Sequence, residues 1–247
     1  RPAPSARGSR STRTAPGLFT SVRVEILKMR RLRVLLVTAL LVIASVALSS
    51  TNLFSQSTIK SFADPAAKPW AMLLLNTAFF NAMTGAVFAA VLASRQTDIE
   101  HSGAGWNLAA TSGLTPGALC RVKLAALTVV IVPAVVLQNT VLIVFARIMG
   151  ISVPLDVGPW VTYTILLITV DLTMCAFHLW LAAVVENQLV VVSAGLLGGF
   201  TGAFMLLAPV SVARLLPWGY YTVIIPTRFI TSGDKTGYEY ISPPSAW

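Results

Sequence analysis

Apolar positions in this chain come as long unbroken runs, not at the alternating or three-to-four spacing of a soluble amphipathic element. Residues 32–48 are Leu, Val, Ile and Ala, interrupted only by Arg33, Thr38 and Ser45, and comparable runs lie at 70–93, 124–146, 160–185 and 189–207. A hydrocarbon core about 30 Å thick takes roughly 20 apolar residues in helical rise. Lipid cannot satisfy open backbone groups, so such runs must be helical. The pattern predicts five transmembrane helices and an all-α, polytopic membrane protein. A last apolar piece, 218–230, is broken by Pro226. It is too short to span and reads as re-entrant or interfacial.

The polar segments between the runs are 51–69, 94–123, 147–159 and the tight turn 186–188. Ahead of the first run, Leu18, Phe19, Val22, Ile26 and Met29 fall near one helical face, with Arg23, Glu25, Lys28 and Arg30 elsewhere. Residues 18–31 therefore read as a basic amphipathic helix in the membrane interface, or else as a plain extension of the first span. Within 94–123, Trp106, Ala109, Ala110 and Gly113 share helical spacing and predict a short helix with one apolar face. Tethered between two spans, such a face is suited to a groove on another protein.

Composition agrees: 55% of residues are hydrophobic and 11% charged, which leaves no room for a separate soluble catalytic domain. The net charge of +9 changes the picture only at the N-terminus, because nine of the 18 basic residues precede Val34. A basic block against a first span is a topology signal and a site for anionic headgroups. Nucleic acid is not expected as a partner, since Phe19 is the only aromatic residue in the block. The charge bias places the N-terminus in the cytoplasm of a cell-membrane protein, with 94–123 on the same side. Residues 1–17, rich in Arg, Ser and Pro, read as a disordered basic tail. Five spans leave the C-terminus outside, and Trp247 stands where an interface anchor often opens another span, which predicts a sixth helix beyond it. A genuine five-span protein is the alternative.

Several polar groups lie inside the runs. Asp171, Cys175 and His178 share one face of the fourth span. An intramembrane acid is expensive and faces protein or a water-filled cavity. A metal site or proton relay is one reading, but too few ligands are present, so no metal is expected and a helix–helix polar contact is preferred. Asn76, Asn81, Gln138 and Asn139 are set for interhelical hydrogen bonds or substrate contact. Gly195, Gly198, Gly199 and Gly202 place small residues four apart, which lets helices approach within the chain or between chains. Pro133 would kink the third span. Cys120 and Cys175 do not make a disulfide framework.

Three features in order resemble the permease subunits of type-2 ABC (ABC-2) exporters, especially the small lantibiotic-immunity permeases. Glu25-Ile-Leu-Lys28 looks like the family's E-x-x-K before the first span. The loop with Glu100, Trp106, Leu108, Thr115-Pro116 and Lys123 looks like its coupling helix. The layout, with an amphipathic lead and an apolar piece late in the chain, is similar over 18–247. The chain departs from the family at His101-Ser-Gly103, where a more basic stretch is usual, and in the missing sixth helix. The resemblance implies an ABC-2 transmembrane domain over 18–247. It implies a partner ATPase subunit touching Asp98, Glu100, Trp106, Leu108, Ala109, Thr115 and Pro116, and a second permease chain. Export of a hydrophobic or amphipathic substrate, such as a peptide antibiotic or drug, would follow. The chain has no G-x-x-x-x-G-K-[ST], so ATP and Mg would sit on the partner and this chain would bind no cofactor and catalyse nothing. A non-transporting membrane scaffold and an intramembrane enzyme are the rival readings. The second needs a Ser–His pair or H-E-x-x-H, and neither His101 nor His178 stands in such a motif.

Overall fold

The computed structural model describes residues 17–232 and 235–241. The expected basic tail, apart from Gly17, and the expected continuation past Trp247 lie outside the described residues. The order is α1 (Leu18–Arg31), α2 (Val34–Ser49), α3 (Gln56–Ile59), α4 (Pro69–Ser102), α5 (Gly105–Thr111), α6 (Pro116–Ile148), α7 (Val157–Val184), α8 (Gln188–Phe204), α9 (Val210–Ala213), α10 (Tyr220–Val223), then strands β1 (Thr227–Ser232) and β2 (Lys235–Tyr240). The chain is a helical, multi-pass membrane protein.

Four helices are long and apolar enough to cross a membrane: α4, α6, α7 and α8. The first apolar run forms α2, whose 16 residues rise only roughly 24 Å. It counts as a fifth span only together with α1, to which it is bent by 69°. Arg33, in the left-handed region at φ 54°, makes that corner. Large apolar side chains point outward all around the bundle, among them Leu35, Ile43, Val129, Val144, Ile165 and Leu197. Such a surface is stable against lipid and not against water.

Helix α4 is the most enclosed span and packs against α2, α7 and α8. Its inward faces carry Ala78, Ala82, Ala86, Ala89 and Ala90, all fully buried. Small side chains let neighbouring axes come close. The glycines of α8 do the same from the other side. A Cβ on Gly199 would land on the Met83 carbonyl, one on Gly195 on Ala90, and one on Gly202 3.0 Å from the Ala82 oxygen. These three glycines therefore serve packing within the chain.

Helices α4 and α6 contain 34 and 33 residues, so each rises roughly 50 Å and outruns the core by several turns. The apolar parts are 70–93 and 124–146. The surplus turns, 94–102 and 116–123, stand together at one end of the bundle with α1 and α5, called here the α5 end. Helix α6 continues through Pro133 without a break.

The segment 218–230 is not one re-entrant piece. Pro217–Gly219 forms a 3-10 turn, α10 packs into the bundle, and from Thr227 the chain becomes a strand. Pro226 ends the helical part, and β-branched and aromatic residues then favour an extended backbone. Strand β1 pairs antiparallel with β2 in the register Phe229↔Tyr238, with the two rings 5.6 Å apart. This hairpin is the one departure from an all-α chain among the described residues, at the end opposite α5.

Candidate functional site

Four charged side chains meet at the α5 end. Glu25 and Lys28 come from α1, Glu100 from the last turn of α4, and Lys123 from α6. The Lys123 ammonium is fully buried and donates at 2.8 Å to Glu25 Oε2, to Glu100 Oε1 and to the Gln96 carbonyl. Lys28 donates at 2.6 Å to Glu25 Oε1 and at 2.8 Å to Glu100 Oε1. Two carboxylates and two ammoniums cancel, which is the condition for keeping Glu25, Glu100 and Lys123 out of water, with Lys28 at the rim.

The sequence builds this cluster locally. Glu25 and Lys28 are three apart on one helix and so reach the same point. Met29 and Ser21 flank Glu25 on the buried stripe of α1, while Leu18 and Phe19 turn outward. Burial would drive Glu100 toward its neutral form, but the hydrogen bonds from Lys123 and Lys28 outweigh it and hold the carboxyl below the ordinary carboxylate range. Burial likewise lowers the Lys28 ammonium, and its bonds to Glu100 and Glu25 more than reverse this, so Lys28 stands above the ordinary lysine value.

Helix α5 is seated directly on the cluster. A Cβ on Gly105 would collide with the Glu100 carboxylate, so only glycine fits there. Gly113, at φ 82°, closes the helix with the Leu114 amide bonded to the Ala109 carbonyl, a Schellman end. Thr115 then caps α6 by accepting from the Ala118 amide, with Pro116 in the first turn. The Thr115-Pro116 step is thus a helix start, exposed on its outer side.

Trp106 does not stand free. Its indole N–H donates to His101 Nδ1 at 3.3 Å, and His101 Nε2 donates to the Ala182 carbonyl of α7 at 2.8 Å. Those two partners make Nε2 the donor and Nδ1 the acceptor of the ring. Trp106 and Ala109 are half-buried, and Leu108 is the exposed apolar side chain of the loop, 65% accessible. Asp98 is half-buried near the end of α4, whereas Glu100 is enclosed by its two lysines. A partner would therefore meet Leu108 and reach Glu100 only through α5.

A second polar centre lies mid-bundle. Asn81 Oδ1 accepts from Ser45 at 3.0 Å and from Gln138 at 2.8 Å, and Asn81 Nδ2 donates to the Tyr163 hydroxyl at 3.0 Å. One amide thereby joins α2, α4, α6 and α7. Asn139 donates to Thr164, and Asn76 to the Ser49 carbonyl. Asp171 accepts from the Tyr221 hydroxyl of α10 at 2.8 Å. His178 and Cys175 are buried, and neither imidazole nitrogen of His178 has a hydrogen-bond partner in the protein. Among the described residues no three His, Cys, Asp or Glu side chains converge as a metal site.

No family model, curated protein or solved structure matches this chain.

The pairing of Lys123 with Glu25, 98 residues away, was not foreseen from the sequence. Its signal was present all the same: a lysine just ahead of an apolar span, with acids at 25 and 100 in the flanking polar segments. Tyr221 is the other omission. A buried acid requires a donor, and Tyr221 is a hydroxyl in the apolar piece that folds back toward it.

At the hairpin end a cavity of about 940 Å³ opens between α4, α8 and the folded-back segment. Phe79, Phe200, Phe204, Met72 and Met83 line it, with Arg228 and Tyr238 from the hairpin. Asn76 is the one intramembrane amide on its wall, so Asn81, Gln138 and Asn139 serve helix contacts and not this cavity.

Proposed function

We propose that this chain is the membrane-spanning permease subunit of an ABC exporter of the ABC-2 type, moving a hydrophobic or amphipathic substrate with ATP hydrolysed on a separate subunit. The observation that carries the reading is the body formed at the α5 end. Helix α5 presents Leu108 outward, while Gly105 and Glu100 seat its base on the ion cluster that binds α1, α4 and α6. A push on α5 is then passed to two spanning helices and the lead helix at once. His101 passes it to α7 as well. A power stroke delivered by an ATPase needs such a rigid lever, and a passive scaffold does not.

The cavity at the other end supports the substrate class. It is large for a ligand site and lined by aromatic and methionine side chains, which adapt to varied apolar shapes. In this reading the α5 end is cytoplasmic, in line with the basic block ahead of α2, and a second permease chain completes the translocation path. The resemblance to lantibiotic-immunity permeases makes an amphipathic peptide the first substrate to try.

The experiment is affinity purification of the tagged chain from its native membranes, reading co-purified vanadate-sensitive ATPase activity. Burying one leucine contributes about 2 kcal/mol, so Leu108→Asp is expected to reduce recovered ATPase by at least roughly tenfold while the permease stays in the membrane. Trp106→Ala acts by releasing α5 and should reduce it comparably. Unchanged ATPase recovery in Leu108→Asp, or none with the wild type, would overturn the reading.

A further inference from the structure

Two features meet at the corner between α1 and α2. One is an apolar groove of about 770 Å³ along the outer face of the bundle, between Leu35, Val42 and Val46 of α2 and Val129, Pro133 and Leu137 of α6. It runs from Leu35 to Ser50, which is roughly 22 Å of helical rise. The other is a set of exposed arginines at its mouth. Arg30 and Arg31 end α1, and Arg33 is the corner residue itself, immediately before the first turn of α2. Arg95 adds a fourth guanidinium, which donates to the Leu32 carbonyl at 3.4 Å.

The charge at this corner is not cancelled from within. Glu25 and Glu100 are already taken by Lys28 and Lys123. Asp98 lies one turn from Arg95 on α4 and offers a single carboxylate to four guanidiniums. Among the described residues no carboxylate pairs with Arg30, Arg31 or Arg33. The 69° bend turns α1 away from the direction of α2. With α2 crossing the bilayer, α1 lies near its plane, so the corner sits at the headgroup level and the groove starts just beneath it.

We propose that this corner is a binding site for one anionic phospholipid. The phosphate sits among Arg31, Arg33 and Arg30, and one acyl chain lies in the groove between α2 and α6. The fit follows from charge and length. An acyl chain reaches through about half of the 30 Å core, roughly 15 Å, and the groove is longer than that. Guanidiniums pair with phosphate oxygens in a two-pronged fashion that lysines do not match. Bound there, the lipid fastens the corner from which α1 holds Glu25 and Lys28 in the ion cluster. The inference is independent of the transport reading.

The test titrates the purified, delipidated chain in detergent with phosphatidylglycerol and, separately, with phosphatidylcholine, and counts bound lipid by native mass spectrometry. The wild type is expected to hold one phosphatidylglycerol at least roughly fivefold more tightly than phosphatidylcholine, the contrast that one surface arginine supplies. Arg31→Gln/Arg33→Gln should cut the preference severalfold, to what Arg30 alone supplies, and Arg31→Lys/Arg33→Lys should keep the part of the preference that comes from charge alone, which separates loss of charge from loss of fold. Ala39→Phe fills the groove and should weaken both lipids while leaving the preference between them. A preference unchanged in the double Gln variant would assign the binding to basic residues elsewhere and overturn the site. Binding unaffected by Ala39→Phe and displaced by inorganic phosphate would reveal a soluble-anion site without a lipid chain, and would overturn it equally.

Discussion

Lys123→Met removes the one fully buried charge of the ion cluster and leaves its volume nearly unchanged. The protein loses three hydrogen bonds of 2.8 Å, to Glu25, Glu100 and the Gln96 carbonyl. The cluster passes from neutral to a net charge of minus one, with only Lys28 facing two carboxylates. Breaking a buried ion pair by removing one partner costs about 3–5 kcal/mol, because the remaining charge is left without compensation. Lys28 is 29% exposed at its side chain, so water shares its work, and Lys28→Met should cost about 1 kcal/mol or less. The companion change Glu25→Gln restores neutrality in the Lys123→Met background. The double variant should therefore be more stable than the sum of the single losses by about 1 kcal/mol or more. The assay is denaturant unfolding in lipid nanodiscs, with hydrogen exchange across 18–31 reporting whether α1 has left its seat. A loss below about 0.5 kcal/mol for Lys123→Met, or strict additivity in the cycle, would refute the claim that the cluster holds α1, α4 and α6 together.

Two further outcomes follow from the same contacts. Gly199→Val drives a side chain into the Met83 carbonyl and should destabilise the bundle by about 1–3 kcal/mol, whereas Leu197→Ala, on the lipid-facing side of the same helix, should change thermal stability far less; equal effects would contradict the close approach of α8 to α4. Glu100 has a folded pKa below its ordinary value of 4.5, so its contribution is in full above that value and is lost as pH falls through the lower folded value. Exchange of the α1 amides should accelerate in that acid window, and Glu100→Gln should flatten the change; an identical acid profile in Glu100→Gln would show that other groups set it.

The chain's own pattern settled its class and the places where it must cross a membrane. Unbroken apolar runs have no alternative to helices in lipid, so four of the five expected spans were legible, while the first run formed the shorter helix α2, which passes for a span only together with α1. The loop helix was legible too, from the helical spacing of Trp106, Ala109 and Ala110, but Gly113, expected on its apolar face, lies past its end in the left-handed region and closes it. The corner at Arg33 was not legible, since a positive φ at an arginine is imposed by the packing of α1 and carries no signature of its own. The strand after Pro226 was also missed, because an apolar piece of that length has no periodicity strong enough to separate a strand from a helix.

Partnership is what only the tertiary structure decided. Glu100 reads from sequence as a surface acid on a polar loop, and in the fold it is enclosed by two lysines from two other helices. Trp106 reads as an outward anchor, and in the fold its indole is turned inward to His101, which leaves Leu108 as the exposed apolar group. The glycines of α8 read equally as a contact within the chain or between chains, and the carbonyls of Met83 and Ala82 decide for the first. The reason is common to all of them. Hydrophobic length is a property of each segment alone and is fixed by the solvent it must meet. The choice of partner for a charge, an indole or a glycine depends on which helices come to lie beside it, and that is set by the packing of the whole bundle.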